Sequence, residues 1–234
     1  LSALNDFYHT SHFNDFFDTH SYVYEPALRL FNDSIMKHFD QEWYTRFYGT
    51  PPAEQFRIVI GFVNGPSCYG PSRQLVGQSK EVFSIIGYAA NRKGQPVLMA
   101  DLGTVVHEFN HSFIKIKGDT KNALAKSGKV IKSYSSFCMK QQAYDSWQTI
   151  LEESLVRAAE KCYFIEHGNG KVDKFIRDEM SHGFYWMPEL VQTLRYYESH
   201  RKKYPTFTSF YPEIVRFFDR YVADREKEMQ KVME

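Results

Sequence analysis

Apolar residues recur at helical spacing from Ala3 to about Tyr48, where phenylalanines, tyrosines, Leu28, Leu30 and Ile35 are interleaved with Asp, Asn and His. The run stops at Gly49-Thr50-Pro51-Pro52, so the pattern predicts two or three helices closed by a turn. The period then changes. Phe56-Arg57-Ile58-Val59-Ile60-Gly61-Phe62-Val63 predicts a strand ended by Asn64-Gly65-Pro66, and residues 82–88 predict a second, ended between Asn91 and Gln95. Residues 104–114 carry no proline and no charged side chain except Glu108. Val105, Val106, Phe109, Phe113 and Ile114 there supply the apolar surface of a helix made for burial.

Residues 117–136 are rich in Lys, Gly, Ser and Asn and predict a solvated connector, with a short helix at 121–125, that could rim a cleft. An apolar helix is predicted around residues 147–159. A turn at His167-Gly168-Asn169-Gly170 leads into a short helix, and two longer ones follow at 188–203 and 212–232, with Pro212 suited to a helix start. The charged run 224–234 reads as a solvated helix end. No internal repeat, low-complexity segment or linker divides the chain. The expected class is therefore α+β and mostly α-helical: a single domain with a helical part at 1–50, a small sheet and the motif helix at 51–120, and a helical part at 121–234.

Composition narrows this picture in a few places. At 234 residues, with 43% hydrophobic and 17% aromatic content, the chain is long enough for one sizeable core. Twenty-nine basic residues stand against 28 acidic ones, a net charge of +1, which gives no reason to expect nucleic acid or an anionic membrane as partner. Cys68, Cys138 and Cys162 are odd in number and lack paired metal spacing, so no disulfide framework is expected. No run approaches the length of a membrane span. The chain begins at Leu1 with neither Met nor an apolar leader, which reads as a trimmed or mature fragment.

Chemistry enters with His107-Glu108-Phe109-Asn110-His111. On a helix, residues four apart lie on one face, so both imidazoles can reach one zinc ion while Glu108 leans to the same side as a general base for its water. The residues after His111 lack the Gly and later His of the extended metzincin pattern, so the third ligand must come from elsewhere. The apolar helix at 147–159 carries the pair Glu152-Glu153. Glu152 shares a face with Leu155, Val156 and Ala159. Glu153 shares one with Arg157 and Glu160, a polar stripe that suits a metal pocket better. A bland reading also exists, in which these acids form an ordinary helix surface. The expected site is thus His107, His111 and Glu153 as zinc ligands and Glu108 as catalytic base. Tyr144, His182 and Tyr185 are candidate donors to an oxyanion, and Tyr69 is a weaker candidate for lining the cleft.

These residues resemble the gluzincins, zinc metallopeptidases that take two His from the first motif and a Glu from a second helix. Thermolysin-like members carry an Asp four residues after that Glu, where this chain has Arg157, so the partner that orients an imidazole is expected elsewhere, with Asp101 and Asp119 as candidates. More closely, the chain resembles a domain-of-unknown-function family (DUF4932-like) of metallopeptidase type found mainly in Bacteroidetes. The resembling segments are Trp43-Tyr44-Thr45-Arg46-Phe47-Tyr48-Gly49, the strand at 56–63 with its turn through Gly70, the His motif, Glu153-Ser154-Leu155-Val156-Arg157-Ala158 and Tyr204-Pro205-Thr206-Phe207. The resemblance implies a zincin-like fold, hydrolysis of peptide bonds in a peptide or protein substrate, and export to the periplasm, cell surface or medium. The alternative function is a binding module that keeps the zincin scaffold without turnover. Intact Glu108 argues for the enzyme, because a pure binder could lose it freely.

Overall fold

The computed structural model describes residues 1–50 and 54–233; Pro51, Pro52, Ala53 and Glu234 lie outside them. The chain opens with α1 (Ser2–Thr10), α2 (Phe13–Thr19), α3 (Ser21–Ser34), a 3-10 turn (Met36–His38) and α4 (Glu42–Tyr48). These are four α-helices where the hydrophobic period predicts two or three. His12 takes a left-handed conformation, φ 51°, and splits the first predicted run. α1 and α2 bury no residue, whereas α4 buries Trp43, Tyr44, Phe47 and Tyr48. Gly49 closes α4 at φ 77°, a conformation that suits glycine.

The sheet is small and mixed. β1 (Gln55–Gly61) runs parallel to β3 (Glu81–Ala90), in register from Gln55 opposite Glu81 to Gly61 opposite Gly87. On the other side of β3 lie the antiparallel pieces β2 (Ser72–Arg73) and β4 (Pro96–Leu98). The expected strands 56–63 and 82–88 correspond to β1 and β3. The two short pieces carry too few residues to show a period of their own. β3 alternates buried Val82, Ser84 and Ile86 with partly exposed residues, and the buried row faces the helices.

Next come α5 (Leu102–Asn110), α6 (Gly118–Gln141), α7 (Trp147–Glu166), α8 (Val172–Ser181), α9 (Met187–Ser199) and α10 (Phe207–Met233). Among the described residues, no helix is long and apolar enough to cross a membrane. α6 corrects the expected connector at 117–136: it is a helix of 24 residues. Its buried positions Leu124, Ser127, Gly128, Ile131, Ser135 and Met139 follow helical spacing, but half of them are small or polar, so they give no hydrophobic signal. They are small because α7 comes close: a Cβ on Gly128 would stand 2.5 Å from Trp147 Cε3. The last helix begins five residues before Pro212, at Phe207. Thr206 and Ser209 cap it reciprocally, each backbone N–H donating to the other's hydroxyl at 3.2 Å.

The core is centred on α5 and α7, and polar bonds between buried groups fix their alignment. Tyr44 Oη donates to the Val106 carbonyl at 3.2 Å and Tyr48 Oη to Asn110 Oδ1 at 2.8 Å, so α4 grips α5 from behind. Asn110 Nδ2 in turn donates to the Val156 carbonyl on α7 at 3.4 Å. Beyond α5, the Ile116 peptide is held by α7 at both ends: its N–H donates to Glu152 Oε1 at 2.8 Å, and its carbonyl accepts from Gln148 Nε2 at 3.2 Å. These bonds hold the motif helix against α7 over the stretch that carries Glu153.

Candidate metal centre

The motif helix starts on a capping box. Asp101 Oδ1 accepts from the Thr104 N–H at 2.9 Å, and the Thr104 hydroxyl lies 3.4 Å from the Asp101 N–H, so the helix entry is fixed one turn before His107. His107 then lies in the last turn of α5 and His111 immediately after it, still in helical conformation at φ −56°. Their Nε2 atoms stand 3.2 Å apart. From α7, Glu153 reaches both: Oε2 lies 3.5 Å from His107 Nε2, and Oε1 lies 3.3 Å from His111 Nε2. Donor atoms about 2.0–2.1 Å from a tetrahedral centre stand about 3.3–3.4 Å from one another. The observed separations lie near that edge length, with one Glu153 oxygen facing each imidazole, and these residues could hold one metal ion.

The surroundings of His111 and Glu153 suit the same role. Burial pushes the His111 pKa down to about 4, which keeps its imidazole neutral with a lone pair free. Glu153 Oε2 is buried with no hydrogen-bond partner among the described residues, a costly state for a carboxylate oxygen and the state expected of one that ligates a cation. Glu152, by contrast, spends Oε1 on the Ile116 N–H and Gln148, and so serves the fold.

Glu108 is buried beside the imidazoles, and burial, chiefly, raises its pKa above the usual carboxylate range. Its neighbour across the cleft is Gly70, on the segment that leads into β2. A Cβ there would stand 2.4 Å from the Glu108 carbonyl oxygen and 2.8 Å from Oε2, so the glycine is required by close approach alone. The cleft between them, of about 450 Å³, is lined by Tyr69, Gly70, His107, Glu108, Tyr144 and Glu153 among others.

Of the three side chains expected as oxyanion donors, Tyr144 lines this cleft. Its hydroxyl accepts from Arg157 Nη2 at 3.2 Å. Tyr185 points elsewhere, with Oη 3.8 Å from Cys138 Sγ, and is 43% exposed. His182 caps the end of α8, where its carbonyl accepts from Gln142 Nε2 at 2.8 Å. Neither belongs to the lining. The reason is local: Gly183, at φ 97°, turns the chain after α8 and packs it on Cys138 of α6. Cys68, Cys138 and Cys162 are all free thiols.

A family model described as a domain of unknown function (DUF4932) matches residues 1–217. The chain belongs to the DUF4932 family. No curated protein and no solved structure matches it. The DUF4932 match covers every residue placed above at the candidate metal centre.

In this DUF4932 chain the carboxylate facing the outer nitrogen of His107 is neither of the two expected. Asp101 is occupied as the α5 cap, and Asp119 is exposed in the first turn of α6. Glu160 stands there instead, with Oε2 3.6 Å from His107 Nδ1. The signal was the polar stripe itself: Glu153, Arg157 and Glu160 recur at spacings of four and three on an apolar helix. Gly70 carried no comparable signal, because a glycine required by contact looks like any turn glycine in a sequence.

Proposed function

We propose that this DUF4932 chain is a zinc-dependent peptidase with a gluzincin-type site on a zincin-like scaffold. The observation that carries the reading is the convergence of His107 Nε2, His111 Nε2 and Glu153 on one point, at separations of 3.2, 3.3 and 3.5 Å, beside a buried Glu108. Charge supports it. Glu153, Glu160 and Glu179 against Arg157 and Lys161 leave one buried negative charge, and Glu108 adds a second. One divalent cation balances these two negative charges. Two imidazoles and a carboxylate with room for a water favour zinc.

When bound, zinc supplies Lewis acidity for the scissile carbonyl and brings the attacking water's pKa toward neutrality. The residues divide the remaining work. Glu108, its proton affinity raised by burial, takes the proton of the attacking water and returns it to the leaving amine. Tyr144 lines the cleft and accepts from Arg157, and its own O–H is the donor it offers to the oxygen that gains charge. An extended substrate has an edge to pair with. Tyr69 exchanges backbone bonds with Ile85 at 2.8 and 2.9 Å, and the Pro71 carbonyl accepts from Phe83, so strand alternation turns the Gly70 amide and carbonyl to the open side.

The direct test is elemental analysis of the purified protein. About one zinc per chain is expected, and its loss in His107→Ala. A chain that takes up no zinc on reconstitution overturns the reading. Gly70→Ala is expected to lower kcat/KM on a peptide substrate by about 10²-fold, because the new methyl would meet the Glu108 carbonyl oxygen at 2.4 Å and its carboxylate at 2.8 Å and so shift the base. Unchanged kinetics would mean that Glu108 does not act from its observed position.

A further inference from the structure

A closed circuit of buried charge runs behind the metal centre and joins α5, α7 and α8. From His107 Nδ1 it passes to Glu160 Oε2 at 3.6 Å, then to Lys161 Nζ at 3.3 Å. Lys161 Nζ meets Glu179 Oε1 at 2.6 Å, and Glu179 Oε2 meets Arg157 Nη1 at 2.8 Å. Arg157 Nε lies 3.6 Å from Glu153 Oε2, which returns the circuit to His107 Nε2 at 3.5 Å. The Lys161 side chain is 3% exposed and that of Glu179 9% exposed.

Such a circuit is a poor way to stabilise a core. Apolar side chains of the same volume would avoid the desolvation of five ions, so its retention points to a positional task. Two features say which. Glu179 bridges Arg157 and Lys161, one to each of its two oxygens, at hydrogen-bonding distance. Glu160 makes a looser contact with Lys161 and otherwise faces an imidazole nitrogen. At 3.6 Å its effect on that nitrogen is electrostatic. A negative charge so placed favours the proton on Nδ1, against the opposite pull of Glu153 Oε2 at 3.5 Å from Nε2, and a proton on Nδ1 leaves the Nε2 lone pair directed at His111 Nε2 and Glu153.

We propose that Glu160 is the positioning residue of the site: it fixes the tautomer and ring orientation of His107, and Lys161, anchored by Glu179 of α8, holds it in place. This rests on the reading of His107 as a metal ligand. It gives the polar stripe of α7 a divided role, with Glu153 turned to the front of His107 and Glu160 to the back.

The test compares wild type with Glu160→Gln, which keeps the shape and removes the charge. Long-range ¹⁵N NMR of the zinc-free protein in a Glu153→Gln background, which removes the competing charge at Nε2, is expected to show His107 in the Nδ1–H form with Glu160 present and as a mixture of tautomers in Glu160→Gln. Zinc affinity, measured by competition with a chromophoric chelator, is expected to fall by about 10–100-fold, with partial rescue by Glu160→Asp. A His107 tautomer unchanged in Glu160→Gln overturns the proposal, whatever the affinity. If the single variant does not fold, Glu160→Gln with Lys161→Met removes the cation with its partner and is read in the same two ways. A wild type that binds no zinc would end the ligand reading, while the tautomer comparison still decides the role of Glu160.

Discussion

Glu108→Gln is expected to retain about one zinc per chain and to lose peptide hydrolysis by a factor of about 10²–10⁴, the usual worth of a positioned general base. The amide keeps the size of the carboxylate, so it still fits against Gly70, whose missing Cβ leaves space for that group and nothing larger. What it cannot do is accept a proton. The loss should therefore fall on kcat, with KM little changed, because the base acts in the transition state and contributes little to substrate binding. Single-turnover kinetics on a fluorogenic peptide, with zinc content measured on the same sample, separate the two. Hydrolysis that survives undiminished removes Glu108 from the mechanism. A wild type that holds zinc and cleaves no member of a broad peptide library would favour the noncatalytic binding module instead.

The front of the site was legible in the sequence, and the reason is helical periodicity. His107 and His111 lie four apart on one helix, and Glu153 lies on a stripe that helical spacing alone picks out, so their convergence needed only that α5 and α7 pack face to face. What holds those helices in register was not legible. Asn110 reads as an arbitrary member of the motif, yet it joins Tyr48 on one side to the Val156 carbonyl on the other. α6 was hidden for a related reason. A helix that packs closely buries Ser127, Gly128 and Ser135, and such a stripe has the composition of a loop. Of the donor candidates Tyr144 reaches the cleft and His182 and Tyr185 do not, because their placement depends on turns: Tyr144 follows Ala143, which holds φ 61°, and His182 and Tyr185 flank Gly183 at φ 97°. Sequence distance from α7 says nothing about which way such turns send a side chain. β1 and β3 were visible through their β-branched runs, while β2 and β4 exist only as partners of β3.

Adjacent glutamates on α7 are expected to behave as different kinds of residue. Glu153→Ala should weaken zinc binding by more than about 100-fold, since even a group that only orients a ligand is worth about 10–100-fold. It should also abolish the rise in Tm that zinc confers on wild type, because a cation that no longer binds the native state cannot stabilise it. Glu152→Ala should leave affinity and the zinc-dependent rise in place and lower Tm in both states by a similar amount. Its Oε1 is the acceptor for the Ile116 N–H and for Gln148, and a buried amide left without its acceptor costs about 1–3 kcal/mol. The contrast follows from where each carboxylate ends its hydrogen bonds: Glu152 has partners in the protein, and Glu153 Oε2 has none among the described residues. Thermal melts with and without one equivalent of zinc, run on both variants, check it. If Glu152→Ala lost the metal and Glu153→Ala kept it, the ligand would move by one residue, and the face of α7 turned toward His107 would have been misassigned.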